Sequence, residues 1–324
     1  MNQLDAIVSP IKEEFAQFQN MYSGILNTDN PLLQEVLQYV VQRKGKQMRP
    51  MLTFLFARLY GKVTDATYNA ALSLELLHTA SLLHDDVLDE SIVRRGRPSV
   101  PAMFGSNVAV LSGDYLLATS LFYMSLVRNV EMGLIISRLA QDLADGELLQ
   151  QHYCFTTQTT EEVYFSIIKK KTASLFSACA RLGAMSVGAS SEQAEKAALF
   201  GELVGCCFQI RDDIFDYFNS SEIGKPTGND LREGKLTLPL IHALEKQGVK
   251  NLRKMVEELP AAENFDENVK KLTEFAVSHG GIEYAESTMA KLRKDALAVL
   301  PTDADADVLA ALSAYLDGVV NRTK

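Results

Sequence analysis

Leu82-Leu83-His84-Asp85-Asp86-Val87-Leu88-Asp89-Glu90 closes a long apolar stretch by running abruptly into carboxylates. On an α-helix, residues i and i+4 share one face a turn apart, so Asp85 and Asp89 point the same way. Asp86 lies about 100° round from Asp85. Carboxylates this close repel by roughly 4 kcal/mol per pair at the effective dielectric near a protein surface. Solvent, protonation or a hard cation must relieve that, and Mg²⁺ both takes oxygen ligands and bridges to phosphates. One Asp-Asp-x-x-Asp by itself is most often a solvated face. Here the pattern returns, because Ile210-Arg211-Asp212-Asp213-Ile214-Phe215-Asp216 repeats the spacing on a second apolar stretch. Two such triplets, over a hundred residues apart, predict carboxylates that face each other across a helical cavity and share a metal cluster.

Outward from the triplets the hydrophobic period is helical nearly everywhere. Leu4, Ile7, Val8, Ile11, Phe15 and Phe18 make an amphipathic first helix, expected to pack on the body. Asn30 caps a second helix with Pro31 at its first position. Its end runs into a basic loop over residues 43–50, and an apolar helix from Met51 to Tyr60 follows. Thr64 caps the helix that carries the first triplet, whose face at Ser73, Leu74, Leu77, Ala80 and Ser81 is smooth and narrow. A loop at residues 94–98 precedes helices at about 107–127, 132–151 and 160–187. Thr159-x-x-Glu162 and Ser190-x-x-Gln193 are capping-box patterns for the third of these and for the helix reaching the second triplet. The Gly- and Pro-rich stretch at 224–235 cannot be helix interior. Shorter amphipathic helices fill the rest, broken near Pro260, Gly280-Gly281 and Pro301. Asp303, Asp305 and Asp307 fail as a calcium loop, since Val308 and Ala314 stand where Gly and Glu are needed. No strand alternation competes. The expectation is an all-α fold, a single domain over residues 1–324 built as a helical bundle around a central cavity.

Composition narrows the function. A net charge of −9 excludes a general nucleic-acid binder, which needs a basic footprint. Cys154, Cys179, Cys206 and Cys207 show no CxxC spacing and read as thiols of a reducing compartment. Asp5, Lys12, Glu13 and Glu14 break any signal-peptide core, and no 18-residue run is free of charge. A cytoplasmic enzyme without a transmembrane segment is expected. Within this acidic chain, bases gather in loops: Lys46 and Arg49, Arg94 and Arg95 after the first triplet, Lys225 and Lys235 after the second. Each alone is a solvated loop charge; together they predict the handling of a polyanion, with cations stabilising a departing diphosphate. His78 on an apolar helix is by itself a satisfied core residue. Glu75-x-x-His78 is half of a di-iron signature whose other half is missing.

Gly45-Lys46-x-x-Arg49-Pro50, Leu83-His84-Asp85-Asp86-x-x-Asp89, Arg94-Arg95-Gly96, Lys171-Thr172-Ala173, Phe208-Gln209-x-x-Asp212-Asp213-x-x-Asp216 and Gly224-Lys225 through Lys235-x-Thr237-x-Pro239 occur in order. Together they resemble the trans-prenyl diphosphate synthases over residues 45 to 240, with Lys44 where the family often has a glycine. The resemblance implies an isoprenoid-synthase bundle that condenses isopentenyl diphosphate head-to-tail onto an allylic diphosphate. It implies Asp85, Asp86, Asp89, Asp212, Asp213 and Asp216 as ligands of three Mg²⁺, with Asp85, Asp89 and Asp212 as catalytic members. Arg94, Lys171 and Lys235 would add charge to the leaving diphosphate, with Lys225 among the substrate-binding bases. Lys46, Arg49, His78 and Arg95 would grip isopentenyl diphosphate. Gln209 and Thr172 would supply lone pairs near the allylic cation. A homodimer is implied, and transient contact with a membrane surface would serve product release.

Product length is read from the side chains upstream of Asp85. Ala80 and Ser81 are small, and nothing is inserted in the first motif, so the chain could grow past Leu77 and Leu74. Each lies about one helical turn (roughly 5.4 Å) deeper. On the family pattern this implies a product of about C30 to C50, with octaprenyl the best single value and Phe122, Tyr123 or Met124 as the stop. The alternatives are a short-chain (farnesyl or geranylgeranyl) synthase, a class I terpene cyclase, a catalytically silent helical partner subunit and a carboxylate-bridged redox bundle. Close packing of Ala80 and Ser81 on another helix is the bland alternative to a tunnel.

Overall fold

The computed structural model describes residues 3–25, 27–42, 45–94, 96–218, 228–245 and 249–322, so Arg95 and Lys225 lie outside the described residues. The expected all-α class is borne out. Among the described residues, extended pairing is confined to a hairpin in which Val93–Arg94 pairs antiparallel with Arg97–Pro98. This hairpin is the one departure from a strand-free expectation.

The chain divides into two compact units, each assembled from separated segments. The first comprises Met1–Ala140, Leu175–Gly201 and Val299–Tyr315. Its centre is Met48–Tyr60, a helix buried on nearly every side. Phe18 meets Phe54 edge-on with ring centroids 5.8 Å apart, and Phe56 meets Phe200 at 5.3 Å. Ile7, Ile11, Phe15 and Phe18 are all buried, which seats the amphipathic N-terminal stretch on this core as expected. The Met48–Tyr60 helix starts three residues earlier than its sequence reading, because Pro50 falls within the first turn, where no amide donor is required.

Thr64 caps Asp65–Leu88 through a reciprocal capping box with Thr67. Along that helix Ser73, Leu77, Ala80 and His84 recur at helical spacing and form one stripe. Ser73 and Ser120 approach to 3.0 Å between hydroxyls, and His84 Nε2 lies 3.3 Å from the Val110 carbonyl. The stripe is therefore a tight seam with Ser106–Leu126. That neighbour is long and apolar enough to cross a membrane by length and composition, although Asp114 interrupts it. Its outer face exposes Leu111, Leu121, Phe122 and Leu126, and Val130 and Leu134 continue the apolar surface.

The second unit comprises Gln141–Ser174, Glu202–Ala298 and Leu316–Lys324. Two features depart from the sequence reading. The Glu161–Ile168 helix is capped by Thr160, whose hydroxyl accepts from Val163 N, and not by Thr159. Thr159 turns back toward the carbonyls of Tyr153 and Thr156 instead. The stretch read as one helix from 160 to 187 widens into a π turn at Lys169–Ala173 before continuing as Ser174–Met185. In the first unit, Ser190 and Gln193 form the anticipated box, with Ser190 N donating to Gln193 Oε1 at 2.8 Å and Gln193 N donating back to the Ser190 hydroxyl at 3.2 Å.

Candidate active site

In the first unit, three carboxylates of one motif meet three fates. Asp86 is 2 % exposed and paired with Arg94. Asp85 is half-buried, and Asp89 is exposed as the C-cap, its amide donating to the Asp85 carbonyl at 2.8 Å. Helical rotation explains the split, since a neighbour at about 100° turns inward when Asp85 and Asp89 face out. The C-terminal end of a helix carries partial negative charge, so acids gathered there are disfavoured without a counter-cation. Arg94 supplies one. Lys46 is exposed, and the Arg49 guanidinium lies 4.9 Å from the Phe176 ring centroid. His78 is half-buried, with its carbonyl accepting from the Ser81 hydroxyl at 2.9 Å. Leu77 and Ala80 are buried, whereas Phe122 is 57 % exposed.

In the second unit, a cavity of about 110 Å³ gathers Lys171, Thr172, Gln209, Asp213, Asp230 and Lys235 over apolar walls from Ile167, Ile168 and Leu236. The π turn presents Lys171 and Thr172 together; such widened turns recur at functional sites. Gly146 makes room for that turn, since a Cβ there would stand 2.7 Å from the Lys171 amide nitrogen. Lys171 pairs with Glu147, and Lys235 with Glu233. The Thr172 hydroxyl donates to Gln209 Oε1 at 2.7 Å, and Gln209 Nε2 donates to Asp213 Oδ1 at 2.8 Å. Tyr164, 3 % exposed, donates its hydroxyl to Asp213 Oδ2 at 2.5 Å.

The second acidic motif is again divided. Asp212 is exposed and pairs with Arg322, whose guanidinium also lies 4.0 Å from the Phe208 ring centroid. Burial pushes Asp213 up to about 7, opposed by the donors Tyr164 and Gln209 and reinforced by the charges of Asp212 and Asp216. Asp216 accepts from the backbone amides of Asn229 and Asp230, both at 2.9 Å, and so caps the short Asn229–Arg232 helix. Asp230 is held well above the ordinary carboxylate range, by burial first and then by Asp213 and Asp216.

The donor set fits a hard divalent cation. It consists of carboxylate oxygens, and among the described residues no three acids, histidines or cysteines form a ready cage. Mg²⁺ takes such hard oxygen donors, binding through one or two carboxylates and completing its shell with water and substrate phosphates.

The polyprenyl synthetase family model matches residues 30–275. The chain belongs to that family. Octaprenyl diphosphate synthase of Haemophilus influenzae is 35 % identical over 298 residues, spanning 90 % of this chain and 89 % of that protein. A polyprenyl synthase of Caulobacter crescentus, solved with calcium and isoprenyl diphosphate, superposes with a TM-score of 0.91 at 30 % identity, covering 99 % of this chain and 98 % of that one. A geranylgeranyl pyrophosphate synthase of Bacteroides thetaiotaomicron is 44 % identical with a TM-score of 0.85, covering 99 % and 100 %. Membership bears out the expected isoprenoid-synthase bundle and the expected prenyltransferase of the long-chain polyprenyl class, without fixing the product's length. Polyprenyl synthetases are divalent-metal enzymes, in keeping with the carboxylate donors found here.

Sequence reasoning missed Glu147, Tyr164 and Arg322 as neighbours of motif residues. Glu147 and Tyr164 sit in ordinary helical runs, and Arg322 stands over a hundred residues from Asp212. No local spacing marks such partners. Asp230 was visible inside its motif without an assigned role.

Proposed function

We propose that this polyprenyl synthetase condenses isopentenyl diphosphate head-to-tail with an allylic diphosphate, giving an all-trans chain of about C30 to C50, octaprenyl being the best single value. The observation that carries this reading is the grouping of Lys171, Thr172, Gln209, Asp213 and Lys235 in one cavity, whose lining also includes apolar Ile167, Ile168 and Leu236. Ionisation of the carbon–oxygen bond builds charge on the departing diphosphate, and fixed cations stabilise it more in the transition state than in the ground state. Lys171 and Lys235 serve that role, together with Arg94. Lys46, Arg49, His78 and Arg95 bind the isopentenyl diphosphate. Thr172 and Gln209 present lone pairs to the allylic cation. The isopentenyl double bond then attacks the cation, and the proton lost passes to the departed diphosphate.

Mg²⁺, three ions in number, neutralises the allylic diphosphate when bound. Asp85, Asp89 and Asp212 are the acids whose exposure supports them as its ligands, whereas Asp86, Asp213 and Asp216, the other acids of the two motifs, are taken up by protein donors. A cytoplasmic homodimer completes the reading. The apolar face of Ser106–Leu126 supports it, since a contiguous exposed patch of this kind marks an association surface. Release of so apolar a product calls for transient contact with a membrane surface.

The likeness to a geranylgeranyl pyrophosphate synthase favours a C20 product as the second reading. Incubating the purified protein with Mg²⁺, farnesyl diphosphate and labelled isopentenyl diphosphate, then resolving products by chain length, separates the two. Product formation without isopentenyl diphosphate would instead identify a cyclase, and no turnover at all a silent partner subunit.

A further inference from the structure

We infer that Asp213, held by Tyr164, is a positioning residue that sets the direction of a hydrogen-bond chain, so that lone pairs and not protons face the cavity. The inference deepens the proposed condensation and rests on that reading. Its basis is donor and acceptor arithmetic. Both Asp213 oxygens accept here, Oδ1 from Gln209 Nε2 at 2.8 Å, so the Gln209 amide NH₂ is turned toward the carboxyl. The amide oxygen is thereby aimed at Thr172, whose hydroxyl proton is committed to it at 2.7 Å. Thr172 Oγ1 and Gln209 Oε1 are left with unshared pairs and no proton to turn into the cavity they line.

Tyr164 completes the chain by donating to the other carboxylate oxygen at 2.5 Å from a buried position. Both Asp213 oxygens therefore already take a protein donor, and the carboxylate is 3 % exposed. Asp212 stands on the opposite footing, exposed on the same helix. The two adjacent acids do different work. Asp212 is placed to meet a cation, and Asp213 to orient the amide that stabilises one. Asparagine at 213 would let Gln209 flip, since the new amide can donate, and the flip would direct an N–H at Thr172 and the cavity.

The test uses the full-length protein with Mg²⁺ and two probes, both followed by calorimetry. Farnesyl thiolodiphosphate has a neutral tail and resists ionisation. Its aza analogue carries a protonated nitrogen where the cation develops. Wild type is expected to bind the aza analogue more tightly. Asp213→Asn should lose that preference by about tenfold or more, with thiolodiphosphate affinity and the Mg²⁺ concentration for half-saturation unchanged. Tyr164→Phe, which keeps the ring in place, should lose a smaller part of the same preference and lower kcat without raising KM. Equal weakening of both probes, or a raised Mg²⁺ requirement in Asp213→Asn, would make Asp213 a metal ligand and overturn the assignment. Intact discrimination in both variants would overturn it too. Failure of wild type to bind either probe would defeat the condensation reading itself, an outcome distinct from these.

Discussion

Gly146 separates local propensity from tertiary packing. It lies inside the Val130–His152 helix, where replacing glycine by alanine ordinarily stabilises by about 0.5–1 kcal/mol. Gly133, on the same helix, has nothing within 4 Å of an added Cβ, so Gly133→Ala should show that gain. At Gly146 the added carbon would stand 2.7 Å from the Lys171 amide nitrogen and 2.9 Å from Lys170 Cβ. Ordinary contact begins at 3.4 Å, so the π-turn backbone must retreat by about 0.7 Å. Overpacking of this kind costs about 1–3 kcal/mol, which cancels or outweighs the propensity gain and leaves Gly146→Ala less stable by up to about 2.5 kcal/mol. The retreat also displaces Thr172 from Gln209, now 2.7 Å apart. Misplacement by 1 Å costs on the order of a hundredfold in rate, so kcat should fall by about tenfold or more. Thermal melts and steady-state turnover of the two alanine variants check this. A Gly146→Ala protein that melts at or above wild type and turns over normally would refute the packing argument.

Asp85→Ala should abolish most turnover while leaving the melting temperature near wild type, because this carboxylate is only half-buried and is proposed as a metal ligand. Near-normal activity at saturating Mg²⁺ would remove it from the metal site. Ala80→Phe should shorten the product to about C15 or C20 if growth passes this side chain. Because Ala80 is 2 % exposed on the seam with Ser106–Leu126, the rival outcome is a destabilised protein with an unchanged product profile, and mass spectrometry of the products decides. In chelator-treated protein, the folded-state value of Asp213 lies above its unfolded value, so the folded state binds the extra proton and loses stability as pH rises from about 4 to about 7. The melting temperature of Asp213→Asn should therefore gain on wild type across that window. Parallel curves would contradict a raised Asp213.

The helical class was legible because it is a matter of period: apolar residues recur every three or four positions, and this regularity survives without tertiary information. The caps at Asn30, Thr64 and Ser190 were legible for the same reason, as each satisfies amides within three residues of itself. The cap at Thr160 was misread by one position because two adjacent threonines carry the same local signal, and only the turn back to Tyr153 and Thr156 tells them apart. The motif residues Lys171, Thr172, Gln209, Asp213 and Lys235 were likewise identifiable, and they meet in one cavity.

By itself the sequence determined that this chain is helical, acidic and equipped with two identically spaced carboxylate triplets. Only the tertiary structure decided what each carboxylate meets. Asp86 and Asp213 are buried on Arg94 and on Tyr164 with Gln209, Asp216 caps a short helix, and Asp85, Asp89 and Asp212 retain access to solvent. Spacing along a helix fixes which direction a side chain leaves the backbone, but its charge state and its partners depend on what other segments bring against that face. Those segments lie as far off in the chain as Arg322 is from Asp212, beyond the reach of any local pattern.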